Sequence, residues 1–476
     1  MPELQNMTQN RSDVVSVGTL SNASELAAAR ELRTLMEGRV VLRGDDDYAR
    51  TRQIWNGAVQ HQPALFAVCE TSNDVQAAVR SARFHGLSLS VRGGGHDWAG
   101  RALRHDGLVI DLSRMTQVEV DLEQSVATIQ GGATAADVIS ATSPYGLVAA
   151  TGNCGTVGMV GLTLGGGYGP LTSRYGLALD NLLGAEVVLA DGRLIKCDDD
   201  NNPDLFWAIR GGGGNFGVIA SMRIRLHPIR HVLAGMMLFP WAKAEAVLHV
   251  YAEAFATAPD ELSILAGILP GRDGSPLAFL APMWSGGDSK QGEELIARLR
   301  QLGAPVMDQV GTITYQDWLG MFGAAAPVGR HYAAKNRSLA QLTPAVISAL
   351  IAGGQQRSSL FSAIILHDFR GAATRVPLAA TAFGLRKEHV MVEIIAAWEP
   401  TAKSDGENHR DWARTLSENL APHALPGGYP NMLGPDDDEQ TAHAYGTNLG
   451  RLQQVKRLYD PDGVFTSAIS LPLRTA

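Results

Sequence analysis

Two glycine-rich segments hold the residues whose types are best suited to chemistry. Val91–His96 places three consecutive glycines before a histidine, and Gly152–Gly169 surrounds Cys154 with glycines. Because glycine has no Cβ, such loops let backbone N–H groups converge on a phosphate, and Arg92 would add positive charge to the first loop. The alternative is that both loops are merely tight turns. Two long runs, one with an embedded histidine and one with an embedded cysteine, favour a binding site over turns.

Another candidate group lies far along the chain. Glu393 is the lone carboxylate in the apolar, strand-like run Met391–Trp398. A carboxylate in such a position is unfavourable unless it is paired or functional. Two interpretations stay open at this point. Glu393 is a general base, or it belongs to a structural ion pair for which Arg386 is the candidate partner.

A third glycine run argues against a nicotinamide site. Gly212–Gly217 matches the pattern GxGxxG formally. In a dinucleotide-binding Rossmann unit that motif follows a strand and opens a helix. Here a helix pattern, Asp204–Ile209, precedes it and a strand pattern follows it. We therefore reject the Rossmann interpretation.

The composition narrows the class of protein. The chain has 476 residues, 45% hydrophobic and 18% charged, with a net charge of −8. This predicts two or three globular domains and disfavours nucleic acid or an anionic membrane as a partner. The three cysteines, Cys69, Cys154 and Cys197, predict neither a disulfide framework nor a metal site. With no secretory signal pattern and no apolar run long enough to span a membrane, we expect a cytoplasmic protein.

The elements that must position these residues fall into two regions. Up to Pro228, short strands such as Leu65–Val68 alternate with helices, one of them preceded by N-cap residues at Thr71–Asp74. From about residue 231 to 425, long helix patterns are separated by strands such as Val390–Trp398. In the tail, Tyr445–Phe465, a final helix is predicted that ends at Asp460-Pro461-Asp462-Gly463. The pattern is typical of an α+β layered architecture.

Jointly, these motifs resemble the vanillyl-alcohol-oxidase/p-cresol-methylhydroxylase flavoproteins, and within them the berberine-bridge-enzyme-like branch. The resemblance covers most of the first 230 residues and the last 50. The matching pieces are Val91–His96 with Gly100, Val109–Leu112, Gly152–Gly169, Asp180-Asn181, Val187–Gly192, Asp204–Val218 and positions within Tyr445–Phe465.

The resemblance implies a two-part fold. It implies an FAD-binding domain of the vanillyl-alcohol-oxidase/p-cresol-methylhydroxylase type over residues 1–230. An α/β substrate-binding domain, with an antiparallel sheet covered by helices, would span 231–425. The C-terminal segment, 426–476, would return to the FAD-binding domain.

The resemblance also implies how FAD is held. In the doubly linked members of the branch, a histidine matching His96 bonds to the flavin 8α carbon, and a cysteine matching Cys154 bonds to flavin C6. Imidazole and thiolate are suited to this because both are nucleophiles. The alternatives are an exposed loop histidine and an inert, unlinked cysteine. The residues expected to contact FAD are Arg92, Gly93, Gly94, Gly95, His96, Gly152, Cys154, Gly155, Thr156, Val157, Gly158, Gly161, Gly217, Val218, Ile219, Tyr445 and Asn448.

The same resemblance implies the catalytic groups. A Glu or Gln five positions before a tryptophan serves the branch as a base, which matches Glu393. Tyr429-Pro430-Asn431 resembles the segment that brings an active-site tyrosine over the flavin, so Tyr429 and Asn431 are catalytic candidates. The Tyr429 phenol would either orient the substrate or act as the base in place of Glu393. The alternative for Tyr429 is a core tyrosine. Val157 matches the position that gates oxygen, and a valine there favours reaction with O₂.

The predicted function is therefore an oxidase. It would take a hydride from a small alcohol, hemiacetal or secondary-metabolite C–H next to oxygen or nitrogen, and pass electrons to O₂ to give H₂O₂. A flavin-dependent dehydrogenase or an oxidative-cyclisation enzyme of secondary metabolism is the alternative. A silent flavin-binding protein and a nicotinamide-dependent reductase are less well supported, because both linkage residues and a base candidate are present and the Gly212–Gly217 context is reversed.

Overall fold

The computed structural model describes residues 12–323, 326–400 and 406–466, together with 469 and 471. Its first unit is a four-stranded sheet in the order β1-β2-β4-β3, in which β2, β4 and β3 are parallel. The central strands are buried along their whole length, as continuous apolar runs in parallel sheets require. The elements are α1 (Ser12–Leu35), β1 (Arg39–Leu42), α2 (Tyr48–Thr51), β2 (Leu65–Val68), α3 (Ser72–Phe84), β3 (Leu89–Arg92) and β4 (Leu108–Asp111).

The second unit is a sheet in which every pair is antiparallel, in the order β5-β6-β10-β8-β9 with β7 paired to β10. The hairpin predicted around Ala190–Arg193 is present between β8 and β9. The elements are β5 (Val118–Asp121), β6 (Val126–Gln130), α4 (Ala135–Thr142), β7 (Leu147–Ala149), α5 (Met159–Leu164), α6 (Thr172–Tyr175), β8 (Leu182–Val188), β9 (Leu194–Cys197), α7 (Pro203–Ile209) and β10 (Val218–Pro228).

The third unit begins at Val232 and is the predicted antiparallel sheet covered by helices. Its main path runs β15-β12-β14-β13-β18-β19-β17. The elements are β11 (Val232–Ala234), β12 (Met237–Pro240), α8 (Ala244–Thr257), β13 (Leu262–Pro270), β14 (Pro276–Trp284), α9 (Ser289–Arg300), β15 (Met307–Asp308), β16 (Gly311–Ile313), α10 (Tyr315–Gly323), β17 (His331–Leu339), α11 (Pro344–Gln355), β18 (Ala363–Phe369), α12 (Ala372–Arg375), β19 (His389–Trp398) and α13 (Glu407–Leu420).

The two faces of the third sheet have different neighbours. On one face, alternate residues such as Ile264, Ile364 and Ile394 pack against the apolar sides of α8, α11 and α13. On the other face, Leu265 and Phe279 belong to a core cluster shared with the second unit. Side chains of the second face therefore point towards the second unit, as the alternation of a strand requires.

The C-terminal segment adds α14 (Asp438–His443) and α15 (Leu449–Tyr459). The last helix ends where predicted, at the turn Asp460–Gly463, but it begins at Leu449 and not at Tyr445. It ends at Tyr459 because the Asp460 carboxylate accepts the backbone N–H groups of Val464 and Phe465 and the Lys456 ammonium, which holds the following residues in a turn. No helix in the described part of the chain is both long and apolar enough to cross a membrane.

Candidate active site

The two glycine loops meet through their backbones. A Cβ on Gly94 would lie 2.3 Å from the backbone nitrogen of Gly158, and a Cβ on Gly158 would lie 2.5 Å from the nitrogen of Gly94. Only glycine permits this approach at both positions. Two segments that the sequence presents separately therefore form one continuous surface.

That contact brings the two predicted linkage residues to one hydroxyl group. The Nε2 atom of His96 lies 2.7 Å from Thr156 Oγ1, and Cys154 Sγ lies 3.3 Å from the same oxygen. Burial lowers the pKa of His96 to about 4, so its imidazole is neutral at physiological pH, which is the nucleophilic form. Both side chains are partly exposed on the same surface.

Helix α10 of the third unit braces the Cys154 loop. The Tyr315 hydroxyl is 3.0 Å from Thr151 Oγ1, and Trp318 Nε1 donates to Asn153 Oδ1 at 3.4 Å. On the His96 side, the indole of Trp55 is stacked on the imidazole. These contacts of α10 and Trp55 with the loops were not predicted from the sequence. Neither α10 nor Trp55 belongs to a recognisable motif, and only the fold brings them next to the loops.

The Arg92 guanidinium, predicted to add positive charge to the first glycine loop, lies in a buried ion pair with Asp111. It donates two hydrogen bonds to that carboxylate and a third to the backbone oxygen of Thr51. These contacts balance its charge and tie β3 to β4. Contact of Arg92 with FAD stays a prediction.

The other predicted cofactor residues divide into two groups. Gly152, Gly155, Val157 and Gly161 lie on the joined loops, and a Cβ on Gly161 would meet no atom within 4 Å. Val218 and Ile219 form the buried start of β10, Gly217 is the buried residue just before it, and Tyr445 is buried too. The Asn448 amide donates to the carbonyls of Leu378 and Thr381, so this side chain ties the C-terminal segment to the third unit. Whether the second group contacts the cofactor stays a prediction.

These residues fit FAD. Gly93–Gly95 form the candidate glycine cradle for a pyrophosphate, because none of them carries a side chain that could shield its backbone N–H. The partly exposed His96 and Cys154 side chains lie together beside that cradle. Both nucleophiles could therefore react with the edge of a bound flavin ring. His96 and Cys154 would hold the flavin, and the glycine loops would hold the phosphates.

Glu393 lies on the face of the third sheet that points towards these loops. In the strand register it is opposite Asn336 of β17 and Ile365 of β18. Its Oε2 atom lies 3.0 Å from Nε2 of His367, the ion-pair partner that the structure shows. The predicted pairing with Arg386 is wrong, because that guanidinium makes two 2.8 Å bonds to the carboxylate of Asp180.

The partly exposed side chains of this face define the candidate substrate cleft. Glu393, Ile395, Ile365 and His367 are partly exposed, whereas the residues between them on the same strands are buried under the helices. The cleft floor is thus apolar apart from one carboxylate and one imidazole. Such a surface suits a small, largely apolar molecule with a single polar group.

Tyr429 and Asn431 form the cleft's second polar group. The Tyr429 hydroxyl oxygen accepts the backbone N–H of Gly167 at 3.0 Å and the Asn431 amide at 2.9 Å. Burial raises the pKa of Tyr429, which keeps the phenol protonated. A Cβ on Gly165 would lie 2.0 Å from Asn431 Oδ1, so the glycine run also makes room for this pair.

A buried network of aromatic and hydrogen-bonding contacts behind Tyr429 was not predicted from the sequence. The ring of Tyr168 packs on that of Tyr429, with centroids 4.5 Å apart. His389 Nδ1 lies 2.8 Å from the Lys387 carbonyl, which can only accept, so Nδ1 carries the proton and Nε2 accepts from the Tyr168 hydroxyl at 2.7 Å. No sequence motif marks this pair, which depends on the packing of β19 against the glycine run.

Comparison with known proteins decides the family. A family model described as an FAD binding domain matches residues 63–198, and one described as berberine and berberine like matches residues 429–472. The (R)-6-hydroxynicotine oxidase of Paenarthrobacter nicotinovorans is 31% identical over 450 residues, which cover 90% of this chain and 95% of that protein. The chain belongs to the berberine-bridge-enzyme-like family of FAD-linked oxidoreductases.

Solved structures agree with this placement in the family. The 6-hydroxy-D-nicotine oxidase from Arthrobacter nicotinovorans superposes with a TM-score of 0.83 at 30% identity, covering 92% of this chain and 98% of that one. Berberine bridge enzyme from Eschscholzia californica superposes with a TM-score of 0.82 at 21% identity, covering 95% and 99%, and shows the shared fold. The predicted α+β fold, family and enzyme class are confirmed.

Proposed function

We propose that this family member is an oxidase that holds FAD through two covalent bonds, one to His96 and one to Cys154. The observation that carries the proposal is the meeting of both side chains at Thr156 Oγ1, at 2.7 and 3.3 Å. Cys69 and Cys197 are buried, and burial raises the pKa of both thiols. Cys154 is the partly exposed cysteine of the three.

The test is the mass of the intact protein after acid denaturation. Wild type, His96→Ala and Cys154→Ala should each retain one FAD per chain, and the double variant should retain none. Retention that depends on His96 alone would leave a single linkage. A wild-type protein that releases all its flavin would contradict the proposal.

For catalysis we propose Glu393 as the general base and Tyr429 as the group that orients the substrate. His367 holds one carboxylate oxygen of Glu393, which leaves the other to take a proton from substrate O–H or N–H. The neutral phenol of Tyr429 can donate a hydrogen bond but does not act as a base. When bound, FAD accepts the hydride from the substrate carbon and delivers the electrons to O₂.

The proposed substrate is a small molecule with one C–H next to oxygen or nitrogen. A cleft with one carboxylate among apolar residues supports this class. Relatives differ in substrate, since one is a hydroxynicotine oxidase and another, from Sarocladium strictum and 29% identical, is a glucooligosaccharide oxidase. The assay is H₂O₂ release from a panel of cyclic amines, alcohols and sugars, run with and without an artificial acceptor. Turnover only with the artificial acceptor would favour a dehydrogenase.

A further inference from the structure

The segment Trp55–Gly57, the bridge segment hereafter, joins the His96 loop to the third unit. The Trp55 backbone N–H donates to the Gly95 carbonyl at 3.0 Å, and the Trp55 carbonyl accepts from Gly329 at 2.9 Å. The Asn56 amide donates to the carbonyls of Trp98 and Tyr332 at 2.6 and 2.9 Å. The bridge segment is therefore hydrogen-bonded both to the His96 loop and to the third unit.

The Trp55 indole stacks with two other rings, one from the His96 loop and one from the third unit. Its ring is nearly parallel to the His96 imidazole, with centroids 5.2 Å apart and 17° between the planes. The indole also stacks on the Tyr332 ring, with centroids 3.8 Å apart and 11° between the planes. Its Nε1–H donates to the Ala326 carbonyl at 2.9 Å, which fixes the rotation of the indole.

These contacts set the orientation of His96. The residue follows three glycines, which have no side chains that could pack against the imidazole. The Thr156 hydroxyl holds Nε2, and the Trp55 ring sets the plane of the imidazole. A bond-forming step requires its nucleophile in a near-attack orientation, and losing that orientation slows the step strongly.

We propose that Trp55 is a positioning residue for the bond between His96 and FAD, and that the bridge segment makes this bond depend on the docked third unit through Tyr332. The inference rests on the covalent attachment proposed above. Burial of the imidazole in this stack also keeps it neutral. Trp55 itself forms no bond with the cofactor.

The test uses the full-length protein with Cys154→Ala, so that His96 is the one attachment point. Total flavin is measured by absorption, and covalent flavin is the fraction retained after acid precipitation. Trp55→Leu should bind FAD but retain covalently less than about a tenth of the parental fraction, because the ring that orients His96 is gone. Trp55→Phe, which restores a ring, should recover at least half of it.

The matched control is Trp207→Phe. Trp207 Nε1 donates to the Ala379 carbonyl of the third unit at 2.9 Å, the same kind of contact as that of Trp55 but at a site away from the His96 loop. It should retain the parental covalent fraction. If Trp55→Leu does not fold, the variant Tyr332→Leu tests the positioning role. It removes the ring that stacks on the indole and should lower the covalent fraction several-fold.

The outcomes separate this inference from the function it rests on. A wild-type protein without covalent FAD, or a Cys154→Ala variant that retains none, contradicts attachment at His96 and removes the inference with it. A parental fraction in Trp55→Leu, or in Tyr332→Leu where Trp55→Leu fails to fold, overturns the positioning role alone and leaves the attachment intact.

Discussion

His96 Nε2 and Cys154 Sγ share one neighbour, the hydroxyl oxygen of Thr156, at 2.7 and 3.3 Å. The shared hydroxyl means that the His96 and Cys154 side chains are oriented together. The arrangement is possible only because Gly94 and Gly158 let the two loops touch. The motif that includes Cys154 would thus serve both proposed linkages, since its Thr156 holds the histidine of the other loop.

Thr156→Val should lower the fraction of doubly linked protein several-fold. The substitution keeps the shape of the side chain and removes the oxygen that orients both nucleophiles. Thr156→Ser is the control, because it keeps the hydroxyl and should retain the wild-type fraction. The measurement is the mass of flavin peptides after digestion, which reports each linkage separately. Equal linkage in the valine variant would show that the shared hydroxyl has no role in attachment.

The sequence predicts local features of this fold well. The capping box at the start of α3 is present, with Thr71 and Asp74 bonded as the N-cap pattern requires. The strand Leu65–Val68 has the predicted bounds, and Gly212–Gly217 lies between a helix and a strand as expected. Each of these is marked by residue types within a short stretch of the chain.

Pairings between distant segments are what the sequence does not reveal. Arg386 lies only seven positions before Glu393, yet its partner is Asp180, 206 positions away. Glu393 instead pairs with His367, which is set by the register of β18 against β19. The glycine loops were predicted individually, but their contact at Gly94 and Gly158 follows from the packing of the first two sheets.

Glu393→Gln should slow reduction of the flavin by about 10²- to 10⁴-fold, the usual contribution of a general base. The amide keeps the size of the side chain and cannot accept the proton, so flavin content should be unchanged. The rate of flavin reduction is measured by stopped-flow absorption, with a substrate that releases H₂O₂ in the panel assay proposed above. Glu388→Gln is the control, because Glu388 is exposed near the start of the same strand. An unchanged reduction rate would assign the base to another group.

His367→Leu should slow flavin reduction by about 10- to 100-fold, the range for losing a hydrogen bond to a charged group. The imidazole holds Oε2 of Glu393 at 3.0 Å, and without it the carboxylate rotates freely in the cleft. His367→Gln, which can still donate, should recover part of the rate. The double variant His367→Leu/Glu393→Gln should reduce its flavin no more slowly than Glu393→Gln alone. Additive losses would mean that His367 acts on something other than the carboxylate.

The stability of the protein should fall in mild acid because of His389. Burial lowers its pKa to about 4 from an ordinary value of 6.5. Between these pH values the unfolded chain binds a proton that the folded chain does not, so the free energy of unfolding decreases as pH falls, by up to ~1.4 kcal/mol per pH unit for this group. His389→Gln should show a shallower decrease when denaturation is measured at pH 4.5, 5.5 and 6.5. Tyr168→Phe, which keeps the imidazole buried, should retain the steep dependence, and equal slopes in His389→Gln and wild type would contradict the assignment.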